Sequence, residues 1–418
     1  MSAVARVLCA AAAVACVVVP SATASKAVTR QVVTYDSPAQ LVALERSGAR
    51  VVRTLPALRT AVVETSARVG RRPVLRRALK VDEPALAETY LPGVAWEWQW
   101  DAARMGEVPD WVLRAAAGVT IGVVDSGADL SAPDLASKSP STWSVFSRSH
   151  RVRDVLGHGT FVSSLAAGSV ANGIGISGFG GDARLLVVQA IDSDGYITDV
   201  DEAAAIVYAV RHGARIINLS IGGPESSAVE QRAIRWASRH GALIVAAAGN
   251  EHDQGNQPEF PAALLQHVGS YGRGGIGLAV GATSMDGTRA YFSNTGSYLS
   301  LAAPGFNVFA AESADAAWPR AQLPWASPGY YGWASGTSFA APLVSGAAAL
   351  VWAANPRLTA RQVAKVLKQS ATGTSWNAEL GWGRLDAATA VRLALRTHGA
   401  APRRAHYEPR PSHSSPPS

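Results

Sequence analysis

From Gly118 onward, apolar runs alternate with Ala-rich segments of helical period, and few folds accept that pattern. The runs "GVTIGVVD", "ARLLVVQAID", "ARIINLSIGG", "ALIVAAAGN" and "IGLAVGA" are apolar on consecutive residues, not on every second one. A strand of that kind is buried on both faces. "DEAAAIVYAVRHG" and "SSAVEQRAIRWASRHG", lying between the runs, read as helices. The expected architecture is therefore α/β, a parallel sheet with helices on both faces. In such sheets the chemistry-bearing groups collect at the carboxyl ends of the strands.

Three polar residues occupy positions of that type. Asp125 ends the first run in Val123-Val124-Asp125-Ser126-Gly127, and His158 stands between two glycines in "DVLGHGTFVSSLAAG". Ser338 follows Gly336 and Thr337 and heads the uncharged stretch from Pro342 to Trp352, which reads as a core helix. At that helix start, capped by Ser338, unpartnered N–H groups and the positive end of the macrodipole favour developing negative charge. Each residue alone fits a plain structural role: a turn Asp, a core His, a helix cap. Together they are the set that acyl transfer needs: a nucleophile, a base to take its proton, and a carboxylate to fix the base's tautomer. Asn250, after Gly249 at another strand end, has a side-chain amide able to donate to an oxyanion.

In the order Asp, His, Asn, Ser, the blocks "DSG", "GHGT", "AAAGN" and "GTSFAAP" resemble the signatures of the subtilisin-like serine endopeptidases, and "YFSNTG", "LAAPG" and "ELGWGRLDA" are similar to further landmarks. The resemblance implies that Asp125 orients, His158 acts as base and then acid, Ser338 attacks, and Asn250 with the Ser338 amide binds the oxyanion. It implies that Ser220, Ile221, Gly222 and Gly223 pair with an extended substrate by strand addition. Ala247, Ala248 and Gly249 would form the other wall of the primary pocket. Those walls are small and uncharged, with Glu251 at the rim, so the expected preference is a large apolar or aromatic residue before the scissile bond. The sequence departs from the family pattern at Phe161, Phe339 and Ala132, which bears on the packing behind His158 and on the pocket shape. No cofactor is expected for the chemistry. The metal question stays open, with Asp134 and the Asn172-Gly173-Ile174 loop as candidate oxygen ligands for structural calcium. The rival sedolisin type uses a Glu base, which "GHGT" disfavours, and an α/β-hydrolase would need a G-x-S-x-G elbow. A catalytically inactive secreted binding protein on the same scaffold is the alternative of a different class.

The formal charge of +7 suggests a nucleic-acid or membrane partner at first sight. Its distribution argues against both. Residues 25–90 carry 12 Lys/Arg against 6 Asp/Glu and the first 24 residues add Arg6, so residues 91–418 balance at 25 against 25. The opening stretch, with one Arg, an apolar run from Val7 to Val19 and Ala22-Thr23-Ala24, reads as a secretory signal over 1–24. Both cysteines, Cys9 and Cys16, lie inside it. Residues 30–90 read in β-α-β-β-α-β order as a small ferredoxin-like unit, with "RPVLRRALK" as its second helix and "VDEPALAETY" as its last strand. By the same resemblance, residues 25–90 are an inhibitory propeptide released after Tyr90, residues 91–399 the catalytic domain, and the Pro- and Ser-rich 400–418 a disordered tail. The expectation is a secreted monomer acting on protein or peptide substrates, with its own propeptide as inhibitor and no nucleic-acid or membrane partner.

Overall fold

The structure is a computed structural model that describes residues 28–67, 69, 72–78, 97–316 and 331–398. The expected signal, the release point after Tyr90 and the tail lie outside those residues. The N-terminal unit runs β1 (Thr29–Thr34), α1 (Pro38–Arg46), β2 (Arg50–Leu55), β3 (Thr60–Thr65), β4 (Arg72–Pro73) and β5 (Arg76–Ala78). Its antiparallel sheet has the order β2-β3-β1-β4. The expected second helix over 72–80 is not found in its described part. Arg72–Pro73 instead pairs with β1, and Arg76–Ala78 leaves the unit to pair with the other domain. Pairing partners overrode helical propensity here, as tertiary context commonly does.

The larger domain begins with α2 (Trp98–Ala102), α3 (Asp110–Ala115), β6 (Thr120–Asp125), α4 (Pro133–Ala136), β7 (Ser141–Ser144), α5 (His158–Ala167), β8 (Arg184–Gln189) and β9 (Tyr196–Thr198). It continues with α6 (Asp199–Arg211), β10 (Ile216–Leu219), α7 (Ala228–Arg239), β11 (Leu243–Ala247), α8 (Ala262–Leu265) and β12 (Gly277–Thr283). It closes with β13 (Leu301–Pro304), β14 (Val308–Ala311), β15 (Tyr331–Ala334), α9 (Thr337–Ala354), α10 (Ala360–Ser370) and α11 (Ala387–Arg396). Seven strands form a parallel sheet in the order β13-β12-β11-β10-β6-β8-β7. The five apolar runs supply its middle. The edge strands β7 and β13 are short and carry polar residues or proline, so no apolar run announces them.

Alternation along each strand sorts the core into two layers. In β11, Leu243, Val245 and Ala247 join the layer built with α5 and α9, while Ile244 and Ala246 join that built with α6 and α7. Helix α9 is long and apolar enough to cross a membrane, but it runs through the first layer and Thr337–Ala353 are all buried. An all-apolar helix is stable in water only as such a core element.

Candidate active site

Strand β6 delivers Asp125 to the carboxyl edge of the sheet, where its Oδ1 lies 2.7 Å from His158 Nδ1 at the start of α5. Both side chains are buried. A carboxylate only accepts, so Nδ1 carries the proton and Nε2 is left as the basic nitrogen. The segments meet so closely that a Cβ at Gly159 would strike the Gly127 carbonyl, and one at Gly127 would lie 2.5 Å from Arg153 O. Gly127 also has φ +123°, a conformation that side chains disfavour.

The buried Asp154 ties the Asp125 and His158 segments together. Its Oδ1 accepts from Ser126 Oγ at 2.8 Å and Gly157 N at 2.9 Å, and its Oδ2 from Thr160 N at 2.7 Å and Thr160 Oγ1 at 2.6 Å. Ser126 Oγ accepts in turn from Gly159 N at 2.9 Å. Burial raises the Asp154 carboxyl above its ordinary value, with the donors from Thr160 and Ser126 opposing and the Asp125 charge adding to the rise. Sequence reasoning passed over Asp154; its only signal was an acidic residue four positions before His158.

Ser338 lies in the first turn of α9, but the cap position belongs to Gly336 and not, as expected, to the serine. The hydroxyl of Ser338 donates to Ser220 O at 3.2 Å, while Ser220 Oγ donates to Ser338 O at 2.6 Å. Pro342 explains the second bond. Four residues on from Ser338, it lacks the N–H that would have bonded the Ser338 carbonyl, so that carbonyl is open to Ser220. Asn250 is anchored through its Oδ1, which accepts from Thr337 N and Thr337 Oγ1, both at 2.8 Å. Its Nδ2 remains as the donor end. Phe161 and Phe339, two of the departures from the family pattern, pack on each other with centroids 4.6 Å apart, and Phe339 lies 5.5 Å from the His158 ring.

A recess beside Ser338 is lined by Ser220, Ile221, Gly222, Ala247, Gly249, Asn250 and Thr337, and also by Glu251 and Glu259. Its walls are therefore not uncharged. Glu259 is 4% exposed and presses on glycine backbone: a Cβ at Gly222 would come 2.7 Å from its Oε2, and one at Gly249 would strike its Cγ. Glu251 Oε2 accepts from Asn250 N at 2.9 Å. Ala248, expected in the pocket wall, and Gly223, expected on the substrate-pairing edge, have other partners. Ala248 is fully buried in the core, its carbonyl accepting from Tyr298 Oη at 2.9 Å, and the Gly223 backbone pairs with Phe260.

A second acidic recess lies past Gly223 and holds Arg77 of β5. This arginine, 8% exposed, pairs with Glu202 and with Glu230 at 3.1 Å, and donates to Phe260 O at 3.0 Å. Burial raises Glu202, Glu230 and Asp199 above the ordinary carboxylate range, with the Arg77 charge opposing each rise. Nothing in the sequence marked these carboxylates, because they stand on helices α6 and α7, where acidic residues are ordinary.

Asp134 and Asn172 do meet, and the Asp134 carboxylate is taken up by protein donors. Asp134 accepts from Asn172 Nδ2 and Tyr331 Oη at 2.9 Å and from Ile176 N at 3.4 Å. No group of three or more His, Cys, Asp or Glu side chains placed to hold a metal ion occurs among the described residues.

The profile of the Subtilase family matches residues 116–383. A thermophilic serine proteinase of Bacillus sp. (strain AK1) is 31% identical over 285 residues, 67% of this chain and 63% of that protein. Thermitase of Thermoactinomyces vulgaris is 32% identical over 287 residues, 68% of this chain and 91% of that protein. Among solved structures, fervidolysin from Fervidobacterium pennivorans, a keratinolytic enzyme related to subtilisin, is similar with a TM-score of 0.71 and 22% identity. That likeness covers 89% of this chain and 62% of fervidolysin. A buried Asp–His pair and a helix-borne serine at the carboxyl edge of a seven-stranded parallel sheet agree with the profile match, and the chain belongs to the subtilase family.

Proposed function

We propose that the protein is a secreted serine endopeptidase that works through Asp125, His158 and Ser338. The observation that carries this reading is the 2.7 Å pair of Asp125 and His158 at the sheet edge that also bears Ser338. His158 Nε2 takes the proton of Ser338 Oγ as the oxygen attacks the peptide carbonyl, and returns it to the leaving amine. Water then hydrolyses the ester by the same base. Asn250 Nδ2 and the Ser338 N–H, the latter in the first helical turn where no preceding carbonyl accepts it, donate to the oxyanion. The N-terminal unit from residue 25 acts as propeptide and inhibitor, and the enzyme works as a monomer on protein or peptide substrates without a cofactor. A fluorophosphonate probe tests the reading. It is expected to label Ser338 in the processed protein and to fail with Ser338→Ala, while Asn250→Ala slows turnover by ~10²- to 10³-fold. Absence of labelling would make the chain an inactive scaffold and overturn the proposal.

A further inference from the structure

Two acidic recesses stand at the two ends of one strand edge, and their spacing defines a substrate. Resting on the reading above, we propose that this enzyme selects polypeptides with a basic residue immediately before the scissile bond and an arginine three residues earlier.

The edge runs from Ser220, whose carbonyl holds the Ser338 hydroxyl, to Gly222, and Gly223, its backbone paired with Phe260, forms a floor at the far end. At the Ser220 end, Glu251 and Glu259 line the recess beside the nucleophile. At the Gly223 end, Glu202, Glu230 and Asp199 surround a buried guanidinium. That guanidinium shows what the distal recess accepts. Strand β5 lies antiparallel to β9, with Arg77 opposite Ile197, and the Arg77 stem lies on Gly223, where an added Cβ would be 2.6 Å from Arg77 Cδ. A Gly-sized floor, two ion pairs and a carbonyl acceptor hold the planar fork of an arginine better than a lysine.

An extended chain advances about 3.3 Å per residue, as does the edge it pairs with. A chain that continues antiparallel to this edge, with its arginine stem on Gly223, places the next two residues at Gly222 and Ile221 and the third at Ser220. The third residue therefore faces Glu251 and Glu259, and the peptide bond after it meets Ser338. In this chain's own sequence the third residue after Arg77 is Lys80, in Arg77-Ala78-Leu79-Lys80-Val81. The propeptide thus carries the preferred sequence, and self-cleavage falls between Lys80 and Val81 rather than after Tyr90. In that step Ser338 Oγ bonds to the Lys80 carbonyl carbon and the C–N bond to Val81 breaks. The proton from the serine passes through His158 to the Val81 nitrogen, and water then releases the Lys80 carboxylate.

The test uses processed enzyme and three fluorogenic peptides, Arg-Ala-Leu-Lys, Ala-Ala-Leu-Lys and Arg-Ala-Leu-Phe, each joined to a coumarin amide. Arg-Ala-Leu-Lys is expected to exceed each of the others in kcat/KM by about 30-fold or more, the size of effect that truncating one member of a close charge pair has. Glu230→Gln should erode the first preference and Glu259→Gln the second, with fluorophosphonate titration counting the folded sites in each variant. Should Glu259→Gln fail to fold, Glu251→Gln takes its place. N-terminal sequencing of the self-processed protein should begin at Val81. Equal or better cleavage of the Phe peptide, indifference to the leading Arg, or a first cut after Tyr90 overturns the inference while positive labelling leaves the peptidase reading standing. Absence of both labelling and cleavage overturns the peptidase reading itself.

Discussion

The two domains of this protein use β-sheets in opposite ways. The seven-stranded sheet covers both its faces with its own helices and stands on a continuous core that includes Phe161, Phe309, Trp352 and Leu343. The N-terminal sheet covers only one face for itself. Val33, Tyr35, Ala49, Ala61 and Val63 form its small core against Leu41 and Leu44 of α1, while Leu55, Leu58 and Val62 on its other side join the apolar layer of α6 and α7. Arg53 also pairs with Asp201 at the start of α6. The smaller unit therefore borrows its second layer from the larger. Burying both faces of a sheet takes a layer on each side, so the unit should depend on its neighbour for stability and not the reverse.

The sharpest break between chemistry and architecture is Ser338→Ala. Turnover should fall by about 10⁶-fold, as nucleophile removal does in such triads, with the circular dichroism spectrum unchanged and the two domains still joined in one chain. Loss of fold along with activity would show that the serine is a structural cap after all. Next in size, Trp352→Ala removes a fully buried ring whose Nε1 donates to Leu358 O at 2.7 Å. It should cost the larger domain about 3–5 kcal/mol in denaturant unfolding. Val63→Ala in the small core removes two methylene equivalents, about 1.6 kcal/mol. That loss should appear only in the N-terminal transition, and equal effects of the two substitutions on both domains would refute the asymmetry.

Arg53→Ala tests the interface itself. The pair with Asp201 is largely buried, with side chains 18% and 17% exposed, so its removal should weaken retention of the N-terminal unit by about 1 kcal/mol without altering peptide hydrolysis by the processed enzyme. The smallest effect concerns pH. Burial pushes Glu97, which accepts from Ser177 N at 2.8 Å, up to about 7, with Asp134 and Asp101 adding to the rise. A carboxyl raised in the folded state holds a proton that the unfolded chain has released, so the larger domain should lose stability as pH climbs from its ordinary value near 4.5 to about 7. Glu97→Gln should match the wild type at pH ~4 and exceed it by on the order of 1 kcal/mol at pH ~8. A constant difference across that range would assign the effect to packing.

Much of the larger domain was legible because its sheet is buried on both faces. Consecutive apolar residues in β6, β8, β10, β11 and β12 leave an unmistakable mark, and the small residues around Asp125, His158, Asn250 and Ser338 record how closely backbone approaches backbone there. Local chemistry of that kind is written where it acts. The cap at Gly336 was hidden because Ser338 is itself an acceptable cap, and the helix expected over 72–80 failed because Arg76–Ala78 had a partner 120 residues away in β9.

What the sequence by itself determined, then, was the fold class, the order of the four reactive blocks and the identity of each reactive side chain, since these depend on residue type and on neighbours in the chain. The charge of the recesses was decided only in three dimensions. Glu202, Glu230, Glu251 and Glu259 are ordinary acidic residues in sequence, and it is the crossing of α6, α7 and the loops after β11 that turns them toward one strand edge. Burial and charge pairing are sums over residues distant in the chain, and a linear pattern carries no record of which of those residues will meet.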